Sequence, residues 1–156
     1  MSSVRELFVG ETDLACEAIL ALRPQLGSVA RCVAVIDEVQ RPEGFRVVGA
    51  FTDSRSSAVA YAGFRIQHFT AWGRTLYVDD LSTLPDFRGQ GYAQALFDWL
   101  IEAGRLAQCE SFHLDSGPTR QDAHRFYLNR GLGLSAYHFG ARLKEMRPSN
   151  VRRSGG

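Results

Sequence analysis

Between Thr75 and Gly104 the spacing of apolar residues changes once, and the change falls on a turn that carries two glycines. Thr75 to Thr83 alternates as a strand does, whereas Ala93, Leu96, Phe97, Leu100, Ile101 and Gly104 recur at i, i+3, i+4 and i+7, which predicts a long amphipathic helix from about Gln90. Backbone N–H groups at a helix start have no intrahelical partner and sit at the positive end of the helix dipole. Glycines let an anion approach that bare backbone, and Arg88 adds a charged fork. Leu81-Ser82-Thr83-Leu84-Pro85-Asp86-Phe87-Arg88-Gly89-Gln90-Gly91-Tyr92-Ala93 therefore reads as an anion-binding turn. An ordinary turn with two glycines is the competing reading, because short glycine motifs recur by chance.

The rest of the chain supplies the context. Arg5 to Val9 predicts a short opening strand, followed by a helix capped by Thr12 and ended by Pro24, and a second helix from Ser28 to about Gln40. Phe45 to Thr52 and Ala58 to His68 predict two antiparallel strands around Asp53-Ser54-Arg55-Ser56. Ser111 to Asp115 reads as a further strand. Thr119 opens a fourth helix that runs through Arg130 to Gly131, and Leu134 to Leu143 reads as a last strand. The order β-α-α-β-β-β-α-β-α-β predicts a mixed α/β (α+β) fold. One domain spans 1–147, with 148–156 as a flexible tail.

Composition removes several chemistries. Seventeen of the 18 cations are Arg, and Lys144, the only lysine, lies far from any glycine loop. A P-loop and a Schiff-base site both lack their essential residue. A net charge of +1 without long charge blocks argues against nucleic acid as a partner. Cys16, Cys32 and Cys109 form no C-x-x-C pair, and His68, His113, His124 and His138 have no ligand spacing, so no metal is expected. Without a signal peptide or an apolar run of about 18 residues, a cytoplasmic protein with no membrane partner is expected. The turn also fails as a Rossmann fingerprint, since Gln94 stands at the third glycine and no βαβ order precedes it.

Two stretches carry a family resemblance. Arg88-Gly89-Gln90-Gly91-Tyr92-Ala93 resembles the R/Q-x-x-G-x-G/A motif of the GCN5-related N-acetyltransferase (GNAT) family. Ala123-His124-Arg125-Phe126-Tyr127-Leu128-Asn129-Arg130-Gly131-Leu132 resembles its block A-x-x-x-Y-x-x-x-G-F, with Leu132 in place of the aromatic. The resemblance covers most of the chain, to about residue 143. It implies a mixed sheet of six to seven strands with helices on both faces, two parallel strands splaying apart around acetyl-coenzyme A (acetyl-CoA). The pyrophosphate would then sit on the backbone of Arg88, Gly89, Gln90, Gly91, Tyr92 and Ala93, and the pantetheine arm along Leu81, Ser82 and Thr83. Arg120 stands where many relatives carry a cofactor-facing asparagine.

The implied activity is direct acetyl transfer to a primary amine in a ternary complex, or, alternatively, acyl-CoA sensing by a catalytically idle relative. Tyr127 resembles the family's general acid; a packing role beside Phe126 is the competing reading. Asp79 and Asp80 stand where some relatives carry Glu-Asp, as base candidates that strand alternation sends to opposite faces. Asp115, Asp122, His124 and His138 are weaker candidates for the acceptor side. The segment Leu22 to Gly44 and the turn at Trp72 are expected to shape the acceptor pocket. Acidic residues there point toward a cationic amine, with amino acids and amino sugars also open. A homodimer is compatible with all of this.

Overall fold

The computed structural model describes residues 3–147, so the expected tail at 148–156 lies outside the described residues. The chain falls into two compact units, the second beginning at Ser116. In the first, strand β1 (Ser3–Leu7) leads to helix α1 (Asp13–Leu22), helix α2 (Val29–Ala34) and a π-helical segment, Val35–Gln40. Strands β2 (Arg46–Phe51), β3 (Ala60–Phe69) and β4 (Gly73–Thr83) follow, then helix α3 (Tyr92–Leu106) and strand β5 (Ser111–Leu114). The described residues of the second unit contain helix α4 (Gln121–Asn129) and a 3₁₀ turn, Leu143–Glu145.

The five strands lie in chain order β1-β2-β3-β4-β5, antiparallel except for the parallel pair β4 and β5. Alternation splits the apolar side chains between two faces. Val47, Phe51 and Tyr61 pack with Ala15, Ile19, Cys32 and Ile36 under α1, α2 and the π segment. Val48, Ala60, Ala62, Phe64, Leu76 and Val78 pack with Leu96 and Leu100 of α3 on the other face. Helices thus cover both faces of the sheet. Each fully buried leucine contributes about 1.5–3 kcal/mol relative to leaving it in water.

Thr12 does not act as the predicted cap. It is buried and already helical, and its hydroxyl donates to Asp37 Oδ1 (2.6 Å) and accepts from Arg41 (2.9 Å). Arg41 also reaches Asp37 (2.7 Å) and the carbonyl of Leu7 (2.9 Å). A buried hydroxyl with charged partners in reach is held by them more strongly than by a neutral backbone amide. This triad ties the start of α1 to the end of the π segment. The predicted helix from Ser28 is present, capped by the Ser28 hydroxyl accepting from Arg31 N–H (3.2 Å), but its second half winds wider as the π segment.

The sheet has five described strands against the six to seven expected. Leu134 to Leu143 forms no strand among the described residues. Its alternation marks a capacity to pair, and Leu134, Tyr137 and Phe139 are largely exposed, so no buried face sets a register.

Candidate active site

The register of β4 changes character at Val78. From Thr75 to Val78 it pairs with β3 on one side and with Ser111–Leu114 of β5 on the other. Beyond Val78 no described strand accompanies it on the β5 side, while pairing to β3 continues as Gly63↔Asp80, Ala62↔Leu81, Tyr61↔Ser82 and Ala60↔Thr83. Leu81, Ser82 and Thr83 therefore belong to a strand with one unpaired edge, which is what an extended ligand needs in order to add as a strand.

That edge runs into the glycine turn. Gly89 (φ +72°) and Gly91 (φ +87°) both hold left-handed backbone, and a Cβ built at either position would meet nothing within 4 Å. Ala95 N–H to Gly91 C=O (2.9 Å) is the first bond of α3, so the N–H groups of Tyr92, Ala93 and Gln94 precede its ladder. The turn is braced from within: Arg88 Nε reaches the carbonyl of Thr83 (3.3 Å), Gln90 Nε2 that of Asp86 (2.9 Å), and Phe87 meets Tyr92 edge-on. Open space above two glycines beside a helix N-terminus fits a pyrophosphate.

Asp79 is the extra residue of a β-bulge, since Gly63 pairs with Asp80 and Phe64 with Val78. The bulge changes the expected alternation: Asp79 and Asp80 both point to the face covered by α1 and α2. Asp80 accepts from the Tyr61 hydroxyl (2.8 Å) and is clasped by the Arg23 guanidinium through Nε (3.0 Å) and Nη2. Asp79 accepts from Arg65 Nε (3.1 Å). Burial raises the Asp79 carboxyl above its ordinary value, with Arg65 offsetting part of the shift. Burial, with Asp80 nearby, pushes the Tyr61 phenol up, so it remains a donor, and the bond to Asp80 raises Arg23.

Beside this pair lies a cavity of about 220 Å³ lined by Ile19, Arg23, Leu26, Ile36, Phe45, Tyr61 and Asp80, with Gln25, Val35 and Gln40 completing it. Most of the lining comes from the segment 22–44; Trp72 instead stacks on His113 (3.8 Å) and takes no part. Gly63 makes room, because a Cβ there would sit 2.2 Å from the Phe45 ring. Asp115 accepts from the Tyr77 hydroxyl.

In the second unit Arg120 occupies the N-cap of α4, with its N–H on the Gly117 carbonyl (3.1 Å), and His124 Nε2 also meets that carbonyl (2.8 Å). Asp122 lies in the first turn. Tyr127 sits in the last turn of α4, edge-on to Phe126, where burial raises its phenol and the charge of Arg120 offsets part of the rise. Gly131 (φ +87°) ends the helix, and Leu132 N–H closes back on Tyr127 C=O (3.1 Å).

A family model, the acetyltransferase (GNAT) family, matches residues 15–134. The chain belongs to the GNAT family. Among curated proteins it is 39% identical over 62 residues to an aminoalkylphosphonate N-acetyltransferase of Salmonella typhimurium, a match covering 40% of this chain and 40% of that protein. The matched stretch is thus well under half of that relative's length. Among solved structures, an acetyltransferase of Trypanosoma brucei superposes with a TM-score of 0.76 at 23% identity, over 92% of this chain and 100% of that one. An aminoglycoside N-acetyltransferase solved in complex with CoA superposes with 0.72 at 19% identity, over 91% and 94%. These two show a shared fold.

Within the GNAT frame, the residues that sequence reasoning missed are Arg23, Tyr61, Gly63 and Arg65, all on the α1 side of the sheet. Only Gly63, a glycine inside a strand pattern, carried a local signal. Among the described residues no group of three or more His, Cys, Asp or Glu is placed to hold a metal, and no helix is long and apolar enough to cross a membrane.

Proposed function

We propose that this chain is an acetyl-CoA-dependent N-acetyltransferase that moves an acetyl group to a primary amine of a small molecule or peptide, by direct transfer in a ternary complex. The observation that carries the reading is the one-sided stretch Asp79–Thr83 running into the open glycine turn. Acetyl-CoA supplies the acetyl group as a thioester. Leu81, Ser82 and Thr83 offer backbone groups to its arm; Gly89, Gln90, Gly91, Tyr92 and Ala93 offer N–H groups to its pyrophosphate, with Arg88 adding charge. Arg120 is a further proposed contact.

In the transfer, the amine nitrogen forms a C–N bond as the C–S bond breaks. Asp79 or Asp80 takes the amine proton, directly or through water, and Tyr127 returns a proton to the departing thiolate. Burial raises the Asp79 carboxyl, which suits it to accept a proton from an ammonium. The raised phenol keeps Tyr127 in its acid form at neutral pH. Free thiols at Cys16, Cys32 and Cys109 support a reducing, cytoplasmic setting.

Tyr127→Phe tests the reading, because it removes the proton and keeps the ring. Acetyl-CoA affinity and melting temperature should stay at the parent's values while kcat falls about a hundredfold, at the low end for a general acid because a thiolate leaves readily. In the parent, the alkaline limb of kcat should lie above the ordinary tyrosine value, and it should vanish in the variant. A parent-like rate in Tyr127→Phe would remove Tyr127 from the chemistry. A parent that binds acetyl-CoA and acetylates no amine would be the acyl-CoA sensor instead.

A further inference from the structure

The cavity beside β4 contains one cation and one anion, and they hold each other. Its lining includes Arg23 and Asp80, two neutral amides from Gln25 and Gln40, and otherwise apolar or aromatic side chains. Asp80 is clasped by Arg23 on Oδ1 and fixed by Tyr61 on Oδ2, so both carboxylate oxygens are engaged. The Arg23 side chain is 46% exposed, whereas that of Asp80 is 15% exposed. Arg23 follows the last residue of α1 and is outside regular helix (φ −122°, ψ 62°). A guanidinium has five donors in a planar fork, and two of them serve Asp80.

These facts bear on what amine fits. A purely cationic acceptor would find Asp80 already neutralised and would have to share the cavity with the like charge of Arg23. An acceptor bearing both an ammonium and an oxyanion meets each charge with its complement and leaves neither group unpaired. We infer that the acceptor is a small zwitterionic amine whose carboxylate, phosphonate or phosphate group is read by Arg23, with Asp80 facing the amine end. The inference deepens the acetyltransferase reading and rests on it. Arg23 is a specificity residue in this scheme, and Gln25 and Gln40 are neutral donors for the remaining oxyanion oxygens.

The experiment compares 3-aminopropanoate, 2-aminoethylphosphonate and 1,3-diaminopropane on the parent, Arg23→Gln and Arg23→Lys, by thiol release from acetyl-CoA and by thermal shift without it. The parent should prefer one or both anionic amines, the better of the two separating a planar from a tetrahedral oxyanion. Arg23→Gln should raise KM for the preferred anionic amine about ten- to a hundredfold, the worth of a charge-assisted hydrogen-bonded contact. It should improve 1,3-diaminopropane by freeing Asp80, and Arg23→Lys should recover part of the anionic preference. Read against each variant's own apo melting temperature, the thermal shift given by the preferred anionic amine should be lost in Arg23→Gln.

Preference of the parent for the diamine, or an equal loss on all three amines in Arg23→Gln, would overturn the inference and leave the acetyltransferase reading standing. Arg23-dependent thermal shifts with no turnover of any amine would instead support the anion site and overturn the transfer reading. Neither shift nor turnover would overturn both.

Discussion

The two halves of strand β4 share a backbone and differ in their neighbours. Gly73–Val78 is flanked on both sides, by β3 throughout and by β5 from Thr75, and carries Leu76 and Val78 into the core against α3. Asp79–Thr83 is paired on one side, begins with a bulge, and carries two carboxylates to the opposite face. The first half spends its backbone groups on the fold. The second leaves an edge open and turns both acids to the α1 side, Asp80 into the cavity, so on the proposed reading structural and ligand-binding roles are divided along a single strand.

Substitutions on either side of Val78 should therefore separate stability from binding. Leu76 is fully buried, and α3 packs so closely on it that a methyl at Gly104 would lie 3.5 Å from its Cδ1. Leu76→Ala should cost about 2–5 kcal/mol in denaturant unfolding while the folded fraction binds acetyl-CoA normally. Gly91→Glu should do the reverse. Left-handed backbone makes any side chain at Gly91 cost about 1 kcal/mol, but a carboxylate over the pyrophosphate position should weaken acetyl-CoA binding at least about a hundredfold by calorimetry. Gly91→Ala provides the control for backbone strain alone.

Asp79→Asn should have the smallest effect on stability and acetyl-CoA binding and the most specific one. Because the folded-state pKa of Asp79 lies above its unfolded value, the protonated form favours the fold, and stability is lost as pH rises through the folded value. The asparagine variant should lose that part of the pH dependence of its melting temperature. As a base, Asp79 must be ionised, so the acid limb of kcat/KM should lie above the ordinary aspartate range and disappear in Asp79→Asn. An unchanged limb would leave Asp80 as the base.

What was legible in the chain was local. Periodicity and glycine chemistry gave the five strands, the long helix and the turn after β4, since each depends on residues a few positions apart. The bulge was not legible: counting residues in Tyr77-Val78-Asp79-Asp80-Leu81 sends the acids to opposite faces, and no residue type there announces an insertion. Nor was the Arg23–Asp80 pair, whose members are 57 positions apart and meet only because α1 lies across β3 and β4. Thr12 resembled a helix cap until Asp37 and Arg41 came within reach of it. Leu134 to Leu143 has the alternation of a strand, and alternation alone supplies no partner.

Backbone amide exchange tests the central claim, that the open half of β4 and the turn after it form the acetyl-CoA site. On addition of acetyl-CoA, protection should rise within Asp79–Thr83 and across Arg88–Gln94, while Thr75–Val78, already paired on both sides, stays as slow as before. The same addition to Gly91→Glu should leave both segments at their apo rates. Saturable acetyl-CoA binding with no new protection in Asp79–Thr83 or Arg88–Gln94 would contradict the account.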